Sequence, residues 1–293
     1  MNFLRVSRYT IAALIIGGLV WQLARQDRAA LFALPQPSIA ALAVACALGT
    51  MGYFAFAGAW ISLHAHGRSW RSTGGVWFAS LLARYVPGGL WQGAIRVVDA
   101  HLAGESRRRV LERYLAEQAL TCFSAAWVAV TLVLMAQVPL ARPVLIALAT
   151  VAIGALATAQ VGPRLGVSLQ WTRVAVAAVV SGHLAMALGF AAFVGAWSAP
   201  SDLREIATLM AMFLIAGVAG LLAVFVPAGL GVRESVLAAL LAPMLGSANA
   251  IALSLGARIW LLACELTAWS VWVLATRRHG SARSRGPAST GKK

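Results

Sequence analysis

The chain has 293 residues, 60% of them apolar and 11% charged, with a formal net charge of +15 and a mean hydropathy of +0.80. Soluble domains carry about a quarter charged residues, so a water-soluble globule is excluded and the composition is that of a polytopic membrane protein. No long polar stretch leaves room for a separate soluble catalytic domain, and any chemistry is expected in or at the membrane.

Crossing about 30 Å of hydrocarbon takes roughly 17 to 25 residues. In chain order, residues 9–24, 39–63, 115–136, 143–159, 174–197, 206–225 and 251–276 read as spans. Arg5 and Arg8 precede the first one, but no small-residue cleavage site follows before Arg25, so it is expected to stay as a span and not as a removed leader. Residues 75–98 and 229–245 are interrupted by Pro, Gly and charge and read as re-entrant or broken helices.

Basic clusters at Arg5 and Arg8, Arg68 and Arg71, Arg107 to Arg109 with Arg113, Arg164 and Arg173, and in the tail from Arg277 are expected on the cytoplasmic side. The 75–98 stretch then returns to the side it came from, and 229–245 crosses. Both termini are cytoplasmic in a cell-membrane protein of about eight crossings. The fold class is therefore all-α: a helical bundle over 1–276 with half-sites around 75–98 and 226–245, followed by a basic tail, 277–293, whose composition reads as disordered. The basic loops suit orientation and anionic headgroups at the cytoplasmic face better than nucleic acid. Cys46, Cys122 and Cys264 lie within apolar spans with no Cys-x-x-Cys; no metal and no cofactor is expected.

Val86-Pro87-Gly88-Gly89-Leu90 returns as Val226-Pro227-Ala228-Gly229-Leu230, and an arginine follows each copy within a few residues. Paired broken helices in two halves of a membrane chain point to a transporter's binding site, with the halves related as an inverted repeat. The few ionisable residues at membrane depth are functional candidates because each is costly there: Arg84 and Arg96 around the first turn, Glu117, Arg233 and Glu234 after the second, and Arg258 with Glu265 in the last span. The last two are two helical turns apart on one face. Guanidinium groups bind phosphate through paired hydrogen bonds, and a helix restarting after Pro and Gly offers free N–H groups to an anion. Arg84, Pro87, Gly88, Gly89, Trp91, Gln92, Arg96, Pro227, Gly229, Gly231 and Arg233 form the expected lipid-phosphate site. Glu117 and Glu234 are expected to neutralise or orient the arginines of the empty site, and Arg258 and Glu265 to line the path. Close helix packing is the alternative reading of the glycines. His183 reads as a core residue or a proton relay, and Trp60 as one of several headgroup anchors.

Residues 84–96, Arg-Tyr-Val-Pro-Gly-Gly-Leu-Trp-Gln-Gly-Ala-Ile-Arg, and 226–234, Val-Pro-Ala-Gly-Leu-Gly-Val-Arg-Glu, resemble two motifs of the transmembrane domains of lysylphosphatidylglycerol synthetases and flippases. Ala228 stands where Gly is common, and the aminoacyl-transfer domain of the full-length synthetases is absent from this sequence. The resemblance implies a helical bundle with two re-entrant elements that moves a lipid between leaflets. The expected partner is a membrane phospholipid or a polyprenyl-phosphate-linked lipid. An accessory role beside a lipid-modifying enzyme or glycosyltransferase is the first alternative, and an intramembrane enzyme acting on a lipid-linked phosphate the second. No catalytic motif is found: the chain has no His-Glu-x-x-His.

Overall fold

Ser38 starts the first described helix by accepting the Ala41 N–H on its Oγ at 3.3 Å, which satisfies one of the donors a helix start leaves open. The computed structural model describes residues 35–64, 69–83, 91–102, 106–137, 168–223 and 231–283. Apart from caps and short turns these are helical: α1 Ile39–Leu63, α2 Trp70–Ala83, α3 Trp91–Leu102, α4 Arg107–Gln137, α5 Leu169–Gly195, α6 Leu203–Leu222, α7 Val232–Leu245 and α8 Ser247–Arg283. No strand occurs among the described residues.

Five of these helices, α1, α4, α5, α6 and α8 as far as Thr276, are long and apolar enough to cross a membrane. Their outer faces fit hydrocarbon: Phe123 is 77% exposed and Ile259 70%, in an array of outward apolar side chains that a soluble monomer rarely presents. The chain is an integral membrane protein. α1 coincides with the expected 39–63 span, whereas α4 begins eight residues before the expected 115. Its early turns are polar, and exposed Arg108 Nε donates to Glu112 Oε1 at 2.8 Å, so the helix continues beyond its apolar stretch. α8 likewise runs past 276 to Arg283. The expected spans 9–24 and 143–159, and both copies of the repeated pentapeptide, lie outside the described residues.

The interrupted stretches become short helices: α2 and α7 have 14 residues each and α3 has 12. At 1.5 Å per residue they reach about 21 and 18 Å, less than the hydrocarbon thickness. A helix begins directly after the first pentapeptide, at Trp91, and one residue after the second, at Val232. Each new helix packs on the one before the motif, α3 on α2 and α7 on α6.

The bundle is assembled on α1 and α5, whose contact is the most extensive among the described helices. They run antiparallel, and the Ser38 N–H donates to the Ala196 carbonyl at 2.8 Å. Small residues bring their backbones together: a Cβ added to Gly189 would lie 3.1 Å from the Ala45 carbonyl oxygen and 3.2 Å from the Gly49 nitrogen. Aromatic rings fill the junctions with the other helices. Phe190 stacks on Phe213 at 4.9 Å and Phe193 on Trp260 at 5.8 Å, joining α5, α6 and α8. Phe78 lies between Phe54 and Trp272, at 5.5 and 5.0 Å, and joins α2 to α1 and α8.

Candidate functional site

α3 has its polarity reversed relative to a helix in water. Trp91, Ala94, Ile95 and Val98 are exposed, while Gly93 and Arg96 are buried. A water-facing amphipathic helix turns its charge outward; this one turns apolar groups outward and a guanidinium inward, as expected of a helix bordered by hydrocarbon. Gly93 permits the approach of α3 to α4, because a Cβ there would come within 2.8 Å of the Tyr114 ring.

Arg96 is 1% exposed, and its neighbours come from three other helices. One terminal N–H donates to Glu117 Oε2 from α4, and Nε donates to Ser80 Oγ from α2 at 2.9 Å. The other carboxylate oxygen of Glu117 accepts the Trp77 indole N–H at 3.2 Å. Aromatic rings wall the guanidinium: its carbon lies 4.4 Å from the Trp60 ring centre, 5.4 Å from Tyr114 and 5.8 Å from Trp77, all within the range of cation–π attraction. The Ser80 hydroxyl passes its own hydrogen to the Trp77 carbonyl at 2.7 Å. The result is a desolvated ion pair whose carboxylate and guanidinium both keep further hydrogen bonds, the condition under which a buried pair survives.

The second half is built differently. Gly231, at φ 83°, turns the chain into α7. Glu234 Oε2 accepts the Gly231 N–H at 2.7 Å, and Glu234 Oε1 lies 3.6 Å from a terminal nitrogen of Arg258 on α8. Arg233 packs on α6: its guanidinium carbon lies 4.6 Å from the Phe213 ring centre, and its Cβ sits where Gly220 of α6 leaves room.

The two arrangements share a plan. Gly246 separates α7 from α8, and Glu234 and Arg258 each stand twelve residues from it, the register of an antiparallel hairpin. Arg96 stands six residues before the end of α3 and Glu117 ten residues after the start of α4, so the first pair also joins two consecutive helices. In each half the short helix after the motif is thus tied to the following long helix by one Arg–Glu pair, and the signs are exchanged. The motif helix carries the cation in α3 and the anion in α7.

Of the other expected site residues, Arg84, Pro87, Gly88, Gly89, Pro227 and Gly229 lie outside the described residues. Trp91 is half exposed and Gln92 half buried at the start of α3, while Glu265 is fully buried in α8, two turns beyond Arg258. Trp60 departs from its expected headgroup position: it is 2% exposed and packed on Arg96. Trp77, Ser80 and Tyr114 escape the sequence reading altogether, since no local pattern links residues on three helices. His183 is buried, with Nδ1 3.2 Å from Ser124 Oγ and its ring edge-on to Phe56 at 4.9 Å. Among the described residues no cluster of three metal-ligating side chains forms.

These features define an all-helical integral membrane protein with an aromatic-walled ion pair at the centre of one helical hairpin and a smaller counterpart in another. Comparison with models of known protein families, with curated proteins and with solved structures finds no match.

Proposed function

We propose that this chain binds a phosphate-bearing lipid within the membrane and moves it between leaflets, as its resemblance to the lysylphosphatidylglycerol synthetase and flippase transmembrane domains implies. The observation that carries the reading is Arg96: a guanidinium buried among Trp60, Trp77 and Tyr114, on a helix whose outer face is apolar. A headgroup phosphate is the membrane's common anion with an apolar body, and a planar guanidinium can take it in a bidentate geometry. Glu117 neutralises Arg96 while the site is empty. The repeated Pro-Gly segments are read as re-entrant or broken elements, the chain as crossing about eight times with both termini in the cytoplasm of a cell membrane, and alternating exposure as movement of one motif-bearing half against the other.

The satisfied ion pairs also favour a second reading, an accessory membrane protein beside a lipid-modifying enzyme, in which Arg96–Glu117 and Arg258–Glu234 only lock the hairpins. Reconstitution separates the two. Vesicles containing the full chain are expected to move fluorescent phosphatidylglycerol or a polyprenyl phosphate across the bilayer faster than empty vesicles. A folded Arg96→Met/Glu117→Leu variant is expected to match the empty ones. No acceleration by the parent chain, or equal acceleration by the variant, overturns the carrier reading.

A further inference from the structure

The Arg96–Glu117 pair is electrically balanced: one guanidinium, one carboxylate, both desolvated. A phosphodiester brings one more negative charge. Left uncompensated at membrane depth, that charge would meet the penalty that keeps lone ions out of low-dielectric surroundings. It would also compete with Glu117 for the same Arg96 donors.

Resting on the proposed lipid-phosphate reading, we propose that the phosphate enters the Arg96 site together with one proton, which is taken up by the Glu117 carboxylate. The step balances without a covalent change. The ionised carboxylate and a proton give a carboxylic acid, the phosphate oxygens take over the Arg96 N–H groups, and the site keeps a net charge of zero. The Trp77 N–H stays bonded, because the neutral acid retains a carbonyl acceptor.

The groups around Glu117 permit this. Arg96 of α3 is bonded to it, Asp99 stands half-buried one turn beyond Arg96 on α3, and Tyr114 stands one turn before Glu117 on α4. Arg113 is the other ionisable residue of that turn and is buried. From α2 come only Trp77 and Ser80, which do not titrate. At this end of α1 the titratable group is His64, stacked on Trp60 at 3.7 Å. On α5 the groups are Arg173, which is exposed, and His183, held on Ser124 seven residues further along α4. The ionisable groups of α6, Arg204 and Glu205, lie in its first turn. Glu234 is less suited to the role, because the Gly231 backbone N–H holds its carboxylate besides Arg258.

Dihexanoyl-phosphatidylglycerol is the probe, since its diester does not itself titrate near neutrality. The purified full chain in detergent is titrated with it calorimetrically in two buffers of different ionisation enthalpy. About one proton per bound lipid is expected, with apparent affinity falling about tenfold for each pH unit over which the empty site keeps Glu117 ionised. Glu117→Gln is expected to bind more tightly, take up no proton and lose the pH dependence. Binding by the parent chain with no buffer dependence overturns the proton step while leaving the lipid reading intact, and so does proton uptake retained by Glu117→Gln. Failure of the parent chain to bind this lipid or a short isoprenyl phosphate removes both.

Discussion

Arg96 and Glu117 illustrate at the scale of single residues why a charge at membrane depth is read through its partner. Removing one member of a desolvated pair leaves the other uncompensated, at about 3–5 kcal/mol, whereas replacing both by apolar groups of similar volume is often neutral or stabilising. Arg96→Ala is therefore expected to lower the unfolding midpoint in detergent sharply, with Arg96→Met/Glu117→Leu close to the parent chain or above it. A loss of less than about 1 kcal/mol in the single variant, the range of exposed pairs, would show the pair to be hydrated. The charges themselves were legible in the sequence, because ionisable residues are conspicuous among apolar ones. Their partners were only partly so. Glu117 and Glu234 were read together as counter-charges for the arginines, without saying which carboxylate meets which guanidinium, and adjacent residues such as Arg233 and Glu234 point about 100° apart on a helix. Glu234 folds back onto Gly231 and faces Arg258, while Arg233 packs on Phe213. Hairpin register governs these contacts, and register depends on connections whose geometry a hydropathy pattern does not contain.

At the scale of elements, the spans were readable because hydrocarbon thickness sets a length and α1, α5 and α6 have little polar sequence to blur it. Helix ends were less so: α4 and α8 continue into charged sequence, where backbone hydrogen bonding persists after hydrophobicity has ended. What joins the elements was hidden. The glycines that suggested close packing were those of the motif, yet among the described helices α1 and α5 bring backbone against backbone, at Ala45, Gly49 and Gly189. Gly189→Leu must displace the α1 backbone and is expected to destabilise the protein by about 1–3 kcal/mol or more. Gly217 of α6 has nothing within 4 Å of an added Cβ, so Gly217→Ala is expected to be neutral or stabilising by up to about 1 kcal/mol through helix propensity alone. Thermal unfolding of the two variants side by side tests the assignment; equal midpoints would show that α1 and α5 are not in backbone contact.

For the whole molecule, the hairpin plan and the inverted-repeat proposal make opposite demands on the two connections. If the halves are inverted, the α3–α4 connection and the turn between α7 and α8 face opposite sides of the membrane, although in each half one Arg–Glu pair ties together the helices on either side. With exposed arginines at 107, 108 and 109, the first connection is expected in the cytoplasm by the positive-inside rule. Single cysteines in a chain with Cys46, Cys122 and Cys264 replaced by Ala report the sides directly. Ser106→Cys marks the first turn, Ser247→Cys the second, and Pro200→Cys the α5–α6 connection; Ser106 and Ser247 are exposed. In intact cells a membrane-impermeant maleimide is expected to modify Pro200→Cys and Ser247→Cys, and to reach Ser106→Cys only after permeabilisation. Protection of Ser247→Cys together with Ser106→Cys would put both turns on one side. The 14-residue α7 would then dip and return in place of crossing, the count of eight would fall, and the exchanged signs of the two ion pairs would no longer be explained by inversion of the halves.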